Sequence, residues 1–407
     1  MTHEQRQRQQ RREQERQRRE QEKARRDRVR QLQRESYEAA RGPLDLPFLV
    51  LVLLLTTIGL IMLFSASFPS AYYEDGNPTY YFFRQAIFAA AGLAAMFVIG
   101  KINYQRFRGV SKLALFGSIA LLLLVLTPLG ITRNHATRWL GVGELFTFQP
   151  SELAKLGVIL YFSDTISRKK DKMQTFRYGI LPYAVILVVI AALMMLEPHL
   201  SGTVLILGIG AVLMLVGGIP WGWVLGVVGV AGAGAALLFS GVVPYGQSRI
   251  AMWKDPWLDK VGDGWQMVQS YLAIGSGGLL GVGLGKSRQK YLYLPEEHND
   301  FIFAVVCEEL GLIGATIIML LFAALILRGY WIALQARDRF GSLLAVGVTT
   351  LIALQTILNI AVVTGTVPAT GISLPFFSYG GTALMIQLAE MGIVLSVSRQ
   401  MKAPPGG

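Results

Sequence analysis

Residues 46–66 read LPFLVLVLLLTTIGLIMLFSA, twenty-one residues without a charged side chain. The hydrocarbon core of a bilayer takes ~20 such residues in a helix, because backbone groups there must hydrogen-bond within the segment. The stretch is therefore read as a membrane span; the polar residues before it give no signal-peptide pattern. Nine further apolar runs follow at 81–100, 111–130, 152–166, 179–196, 200–217, 220–240, 301–327, 342–364 and 381–398. The run 152–166 is the shortest, and only Glu197-Pro198-His199 separates the fifth run from the sixth. The expected fold is an all-α polytopic membrane protein with about ten transmembrane helices.

Composition agrees. Of the 407 residues, 53% are hydrophobic and 16% charged, with a mean hydropathy of +0.45; soluble domains carry about 25% charged residues. The net charge of +12 is uneven: residues 1–42 hold fourteen Lys/Arg against eight Asp/Glu, half of the excess. That segment has almost no apolar residues to pack, so it reads as a basic, disordered cytoplasmic tail able to rest on anionic head groups. The transmembrane domain is placed at 43–400, with a short tail at 401–407. The remaining positive charge sits beside apolar spans, where topology explains it, so no nucleic-acid partner is expected.

Orientation follows from the loops. Lys101, Arg106, Arg108 and Lys112 lie between spans 2 and 3; Arg168, Lys169, Lys170, Lys172 and Arg177 between 4 and 5; Arg328, Arg337 and Arg339 between 8 and 9. The loop after span 1 has Glu74 and Asp75 and no basic residue. Positive loops stay inside, so both termini are expected in the cytoplasm. Segments 131–151, 241–299 and 365–380 then face out, and a loop as long as 241–299 is usually functional.

Within that loop GSGGLLGVGLGKS (275–287) imitates a phosphate-binding loop, but Leu280 stands where the first glycine is needed, and the segment faces away from ATP. The single cysteine, Cys307, lies in an apolar run and reads as a small buried hydrophobe. Asp300 follows LPEEHN (294–299) and opens the run FIFAVV (301–306). It reads either as a helix cap or as a general base whose pKa is raised by low dielectric and by Glu296 and Glu297. Glu308 and Glu309 lie deeper and require partners. Glu152 and Lys155, three apart on a helix, can pair. Arg249, Lys254, Lys286, Arg288 and Lys290 put cations on the outer side, which suits an anionic ligand such as a pyrophosphate. Glu197, Asp255, Asp259 and Asp263 are candidates for a divalent cation without diagnostic spacing, and His135, His199 and His298 have no metal-binding spacing. No cofactor is evident.

The segments FQPSELAKL (148–156), RIAMWKDPW (249–257), GWQMVQSYLAIGSGGLLGVGLGKSRQKYLYLPEEHNDFIFAVVCEELGLIG (264–314) and NIAVVTGTVPATGISLPFFSYGG (359–381) resemble the SEDS family (shape, elongation, division and sporulation). The resemblance covers 44–400 and is nearer to the division (FtsW) type than to the elongation (RodA) type. It implies a peptidoglycan glycosyltransferase that polymerises lipid II, the undecaprenyl-pyrophosphate-linked disaccharide-pentapeptide, at the outer face of the bacterial cytoplasmic membrane, for septal synthesis. The essential acid of the family's PE-x-H-x-D-F-I-F pattern falls on Asp300. Asn299 stands where Thr is usual, and His199 where many members carry Asp. Candidate substrate-binding residues are Arg249, Lys290, Lys155, Glu152 and His298. The implied partners are a class B penicillin-binding protein transpeptidase and other divisome membrane proteins. The competing readings are a lipid II flippase, using Glu152, Lys155, Glu308 and Glu309 as a polar path, and a non-catalytic divisome scaffold.

Overall fold

The structure is a computed structural model that describes Gln21, Arg28 and residues 42–133, 136–142, 146–223, 226 and 251–401. The chain divides into two units, Met1–Pro43 and Leu44–Gly407. The second unit is a helical bundle. Its described helices are α1 Leu46–Asp75, α2 Tyr80–Lys101, α3 Phe107–Val125, α4 Pro150–Lys169, α5 Leu181–Leu196, α6 Leu200–Val216, α7 Trp265–Gly277, α8 Ile302–Gln335, α9 Arg339–Val363 and α10 Gly381–Ser398.

Seven helical stretches among the described residues are long and apolar enough to cross a membrane: α1, α2, α3 with its preceding turn, α5 with its preceding turn, α8, α9 and α10. The runs predicted at 152–166 and 200–217 are also helical, as α4 and α6. Helix α4 is too polar to pass on composition, and α6 too short. The seventh predicted span, 220–240, lies almost wholly outside the described residues.

Burial sets the order of the bundle. Most of the apolar window of α9 is enclosed by protein (72%), against 22% for α2, so α9 is central and α2 turns most of its surface outward. Helix α2 packs along α10, α3 along α4, and α8 along both α1 and α9. Helix α1 starts where Asp45 accepts from the Phe48 amide at 3.0 Å, with Pro47 in the first turn. The same carboxylate takes a two-pronged contact from Arg328 of α8, at 2.7 and 3.0 Å. One acid thus caps one helix and pins another.

Helix α8 is broken at Gly311, whose φ of 67° leaves the helical region. The freed carbonyls of Glu308 and Glu309 accept from Val282 and Gly283 at 2.9 and 3.0 Å, and the amides of Leu312 and Ile313 donate to Gly278 and Leu279 at 2.9 and 3.1 Å. Irregular backbone at membrane depth is tolerated only when its polar groups are satisfied in this way. The segment after α7 therefore doubles back along α8.

The segment between α3 and α4, with no strand expected in it, contains a three-stranded antiparallel sheet: β1 Gly130–Arg133, β2 Ala136–Val142 and β3 Phe146–Phe148. Leu140 pairs with Gly130 on one side and Phe148 on the other. The sheet carries Arg138 toward the α5–α6 turn.

Candidate active site

Asp300 is the last residue but one before α8. The N-cap of α8 is Phe301, without a side-chain cap hydrogen bond, so the capping reading of Asp300 does not hold. Its backbone is held instead. Asn359 of α9 donates to the Asp300 carbonyl at 2.8 Å, Ser378 Oγ to the Asn299 carbonyl at 2.8 Å, and the Tyr379 amide to the His298 carbonyl at 2.8 Å. The residue is half-buried, and protein surrounds its carboxyl. Burial pushes its pKa up to about 6, and Glu296 adds to the rise, while Arg138 and His298 oppose it. Of the two acids expected to raise it, Glu296 does so; Glu297 turns away, accepting from Ser70 and from His298 Nδ1 at 3.2 Å.

His298 is fixed on three sides. Its ring stacks on Tyr81 at 4.8 Å between centroids and meets Tyr379 edge-on at 5.9 Å, with Glu297 at Nδ1. Burial pulls its pKa down, but the hydrogen bond and charge of Glu297, with Glu296 and Glu74, outweigh it, and the net direction is upward. A histidine whose protonated form is favoured by its acidic neighbours thus stands two residues from Asp300.

Arg138 reaches the turn between α5 and α6. Its Nε donates to the Glu197 carbonyl at 3.3 Å, and a second nitrogen to that of Pro198. Its charge acts on Asp300, Glu197 and His199 together. Burial raises Glu197 to about 7, against the pull of Arg138; both carboxyl oxygens are buried without a hydrogen-bond partner. His199 is pushed down to about 3 by burial, then by Arg138 and Lys155, and is a neutral imidazole beside Gln149. Its neutrality means this position brings no charge to the site.

Lys155 and Glu152 form the expected pair, 2.7 Å apart and buried, and Glu390 of α10 is the next carboxylate in their field. Lys155, Arg138 and His199 link this pair electrostatically to the surroundings of Asp300.

One expected cation is not brought there. Lys290, expected among the outward-facing loop cations, is 2% exposed, with Nζ 2.9 Å from Glu309 and 3.1 Å from Ser65 Oγ. Glu308 accepts from Ser287 Oγ and, at 2.9 Å, from the Arg288 amide. These buried acids required a cation and donors, and the returning loop supplied them; Lys290 is a structural ion. Arg249 lies outside the described residues. Asp255 and Asp259 accept from the amides of Trp257, Gly262 and Asp263, so they shape turns. Among the described residues no group of three or more His, Cys, Asp or Glu is placed to hold a metal.

Sequence reading missed Arg138, Gln85, Asn359 and Glu390. Arg138 carried a usable signal, a cation on a segment assigned to the outer side. The others are single polar residues within apolar runs, whose partners are distant in sequence.

The family model described as "Cell cycle protein", FtsW/RodA/SpoVE, matches residues 45–403. This chain belongs to the FtsW/RodA/SpoVE family. It is 44% identical to stage V sporulation protein E of Bacillus subtilis, covering 87% of this chain and 97% of that one. It is 41% identical to the probable peptidoglycan glycosyltransferase FtsW of Geobacter metallireducens, over 89% of this chain and 96% of the other. The fold matches a chain from a peptidoglycan synthase complex that coordinates polymerisation and crosslinking (TM-score 0.73, 28% identity, 88% and 98% coverage). It also matches the rod shape determining protein RodA of Thermus thermophilus (TM-score 0.66, 28% identity, 89% and 99% coverage). Such coverage extends the FtsW/RodA/SpoVE likeness to the whole bundle, the Asp300 loop included.

Proposed function

We propose that this chain is a peptidoglycan glycosyltransferase that polymerises lipid II at the outer face of the cytoplasmic membrane during septal synthesis, with Asp300 as general base. The carrying observation is a half-buried aspartate whose carboxyl is raised by burial to a pKa of about 6 and lies within the field of the Arg138 guanidinium. A base works best when its pKa lies near the working pH. Asp300 removes the proton from the sugar 4-hydroxyl of incoming lipid II. The oxygen forms a bond to the anomeric carbon of the growing glycan, and the bond from that carbon to the pyrophosphate oxygen breaks. Undecaprenyl pyrophosphate departs with the electron pair. Arg138 is the cation best placed to support that charge, in the role the sequence suggested for Lys290. The Lys155 charge acts on the neighbouring His199, and the interaction with His298 favours the ionised form of the base.

The basic loops put both termini in the cytoplasm and the Asp300 end outside, where the pentapeptide substrate is displayed. A class B penicillin-binding protein is the expected partner, since a related chain occurs in a polymerising and crosslinking complex. The flippase reading loses its polar path: Glu308 and Glu309 are engaged by Ser287, Lys290 and Ser65 in a cluster of their own.

The test is Asp300→Asn in purified protein, with its transpeptidase, incubated with lipid II and read as glycan on a gel. The expected loss is about 10²–10⁴-fold. Polymerisation at the parental rate would remove Asp300 from the mechanism.

A further inference from the structure

Residues 371–380 lie against Asp300, and two buried amide side chains hold them from outside. Gln85 of α2 is fully buried. Its Nε2 donates to the Ser378 carbonyl at 3.1 Å and its Oε1 accepts from the Gly380 amide at 3.1 Å. A primary amide thereby grips the backbone on either side of Tyr379, as a neighbouring strand would. Ser378 Oγ accepts from the Leu374 amide at 2.7 Å and donates to the Asn299 carbonyl at 2.8 Å. Asn359, also fully buried, donates through Nδ2 to Asp300 and to Ile372, at 2.8 and 2.6 Å. Gly371, at φ +68°, brings backbone so near the carboxyl that an added Cβ would stand 3.0 Å from Asp300 Oδ2.

Burying neutral amides in an apolar bundle is unfavourable unless their hydrogen bonds are made. Gln85 makes them through both its nitrogen and its oxygen and Asn359 through its nitrogen, while Asn359 Oδ1 is buried without a partner. All of the bonds made go to backbone in or beside the segment that flanks the acid. Gln85 and Asn359 are 274 positions apart (359 − 85), on different helices, and converge on one ten-residue strap. We propose that Gln85 and Asn359 are positioning residues: they mount residues 371–380 so that the Asp300 carboxylate is held in register with the substrate hydroxyl. The inference rests on Asp300 being the base. It assigns no substrate contact to either amide.

A 1 Å misplacement of a reacting group costs about 100-fold in rate. Gln85→Leu, similar in volume but unable to bond, lowers kcat about 10–100-fold in lipid II polymerisation, with KM for lipid II within about twofold. The acid limb of its pH–rate profile moves below pH 6, because a loosened strap lets water reach the carboxyl. In an Asp300→Asn background Gln85→Leu causes no further loss, since no base remains to position. Ser378→Ala removes one small hydroxyl of the same mount; it carries the test if Gln85→Leu does not fold, and follows the same pattern. Parental kcat in these variants, an unmoved acid limb, or a multiplicative loss in the Asp300→Asn background overturns the proposal. If Asp300→Asn itself polymerises at the parental rate, it is the base assignment that fails.

Discussion

Lys155→Met offers the sharpest measure of how this bundle holds charge. The ammonium and the Glu152 carboxylate are 2.7 Å apart, with the lysine side chain only 3% exposed. At an effective dielectric constant of about 20, charges at that separation attract by about 6 kcal/mol, much of it offset by the cost of removing both ions from water. Removing one partner leaves the other without compensation, typically at about 3–5 kcal/mol. At about 2 °C per kcal/mol, the melting temperature in detergent falls by roughly 6–10 °C. Glu152→Gln in the same chain removes the orphaned charge and restores most of that loss. Fluorescence-monitored melting of the single and double variants reads both effects. Melting of Lys155→Met within about 1 °C of the parent would show that the pair is hydrated and that the buried ion-pair account is wrong.

The pH dependence of kcat/KM should show an acid limb near pH 6 if Asp300 is the base proposed, because a base acts only when ionised. Its folded pKa is raised above the ordinary 3.8, so its contribution to stability is full below that value and is lost as pH rises through 6, opposite to activity; Asp300→Asn removes this stability change from a pH series of melting curves. Gly371→Ala should lower kcat about tenfold, since the new Cβ forces a left-handed residue and crowds the Asp300 carboxyl; an unchanged rate means the strap yields freely. Lys290→Met should destabilise the fold by roughly 3–5 kcal/mol while leaving KM for lipid II unchanged, whereas a raised KM with unaltered melting would return Lys290 to the substrate site.

Much of this protein was legible in its sequence. Apolar runs near the length of a bilayer fixed the helices, since a backbone in hydrocarbon has few ways to bond itself, and even the shortest run, 152–166, became α4. Asp300 was legible because an acid at the mouth of an apolar run requires a reason. The Glu152–Lys155 pair was legible because a spacing of three is a local matter on a helix. Tertiary structure decided what depends on distant partners. Lys290 had the charge and apparent location of a substrate ligand until the broken α8 brought Glu309 beneath it. Arg138 came within the electrostatic reach of Asp300 through a small sheet that no apolar period announced. Gln85 and Asn359 were two ordinary amides in two long helices, and only packing placed both against one strap. Periodicity and local spacing act within one element and can be read along the chain; electrostatic partnership in a bundle depends on which helices meet.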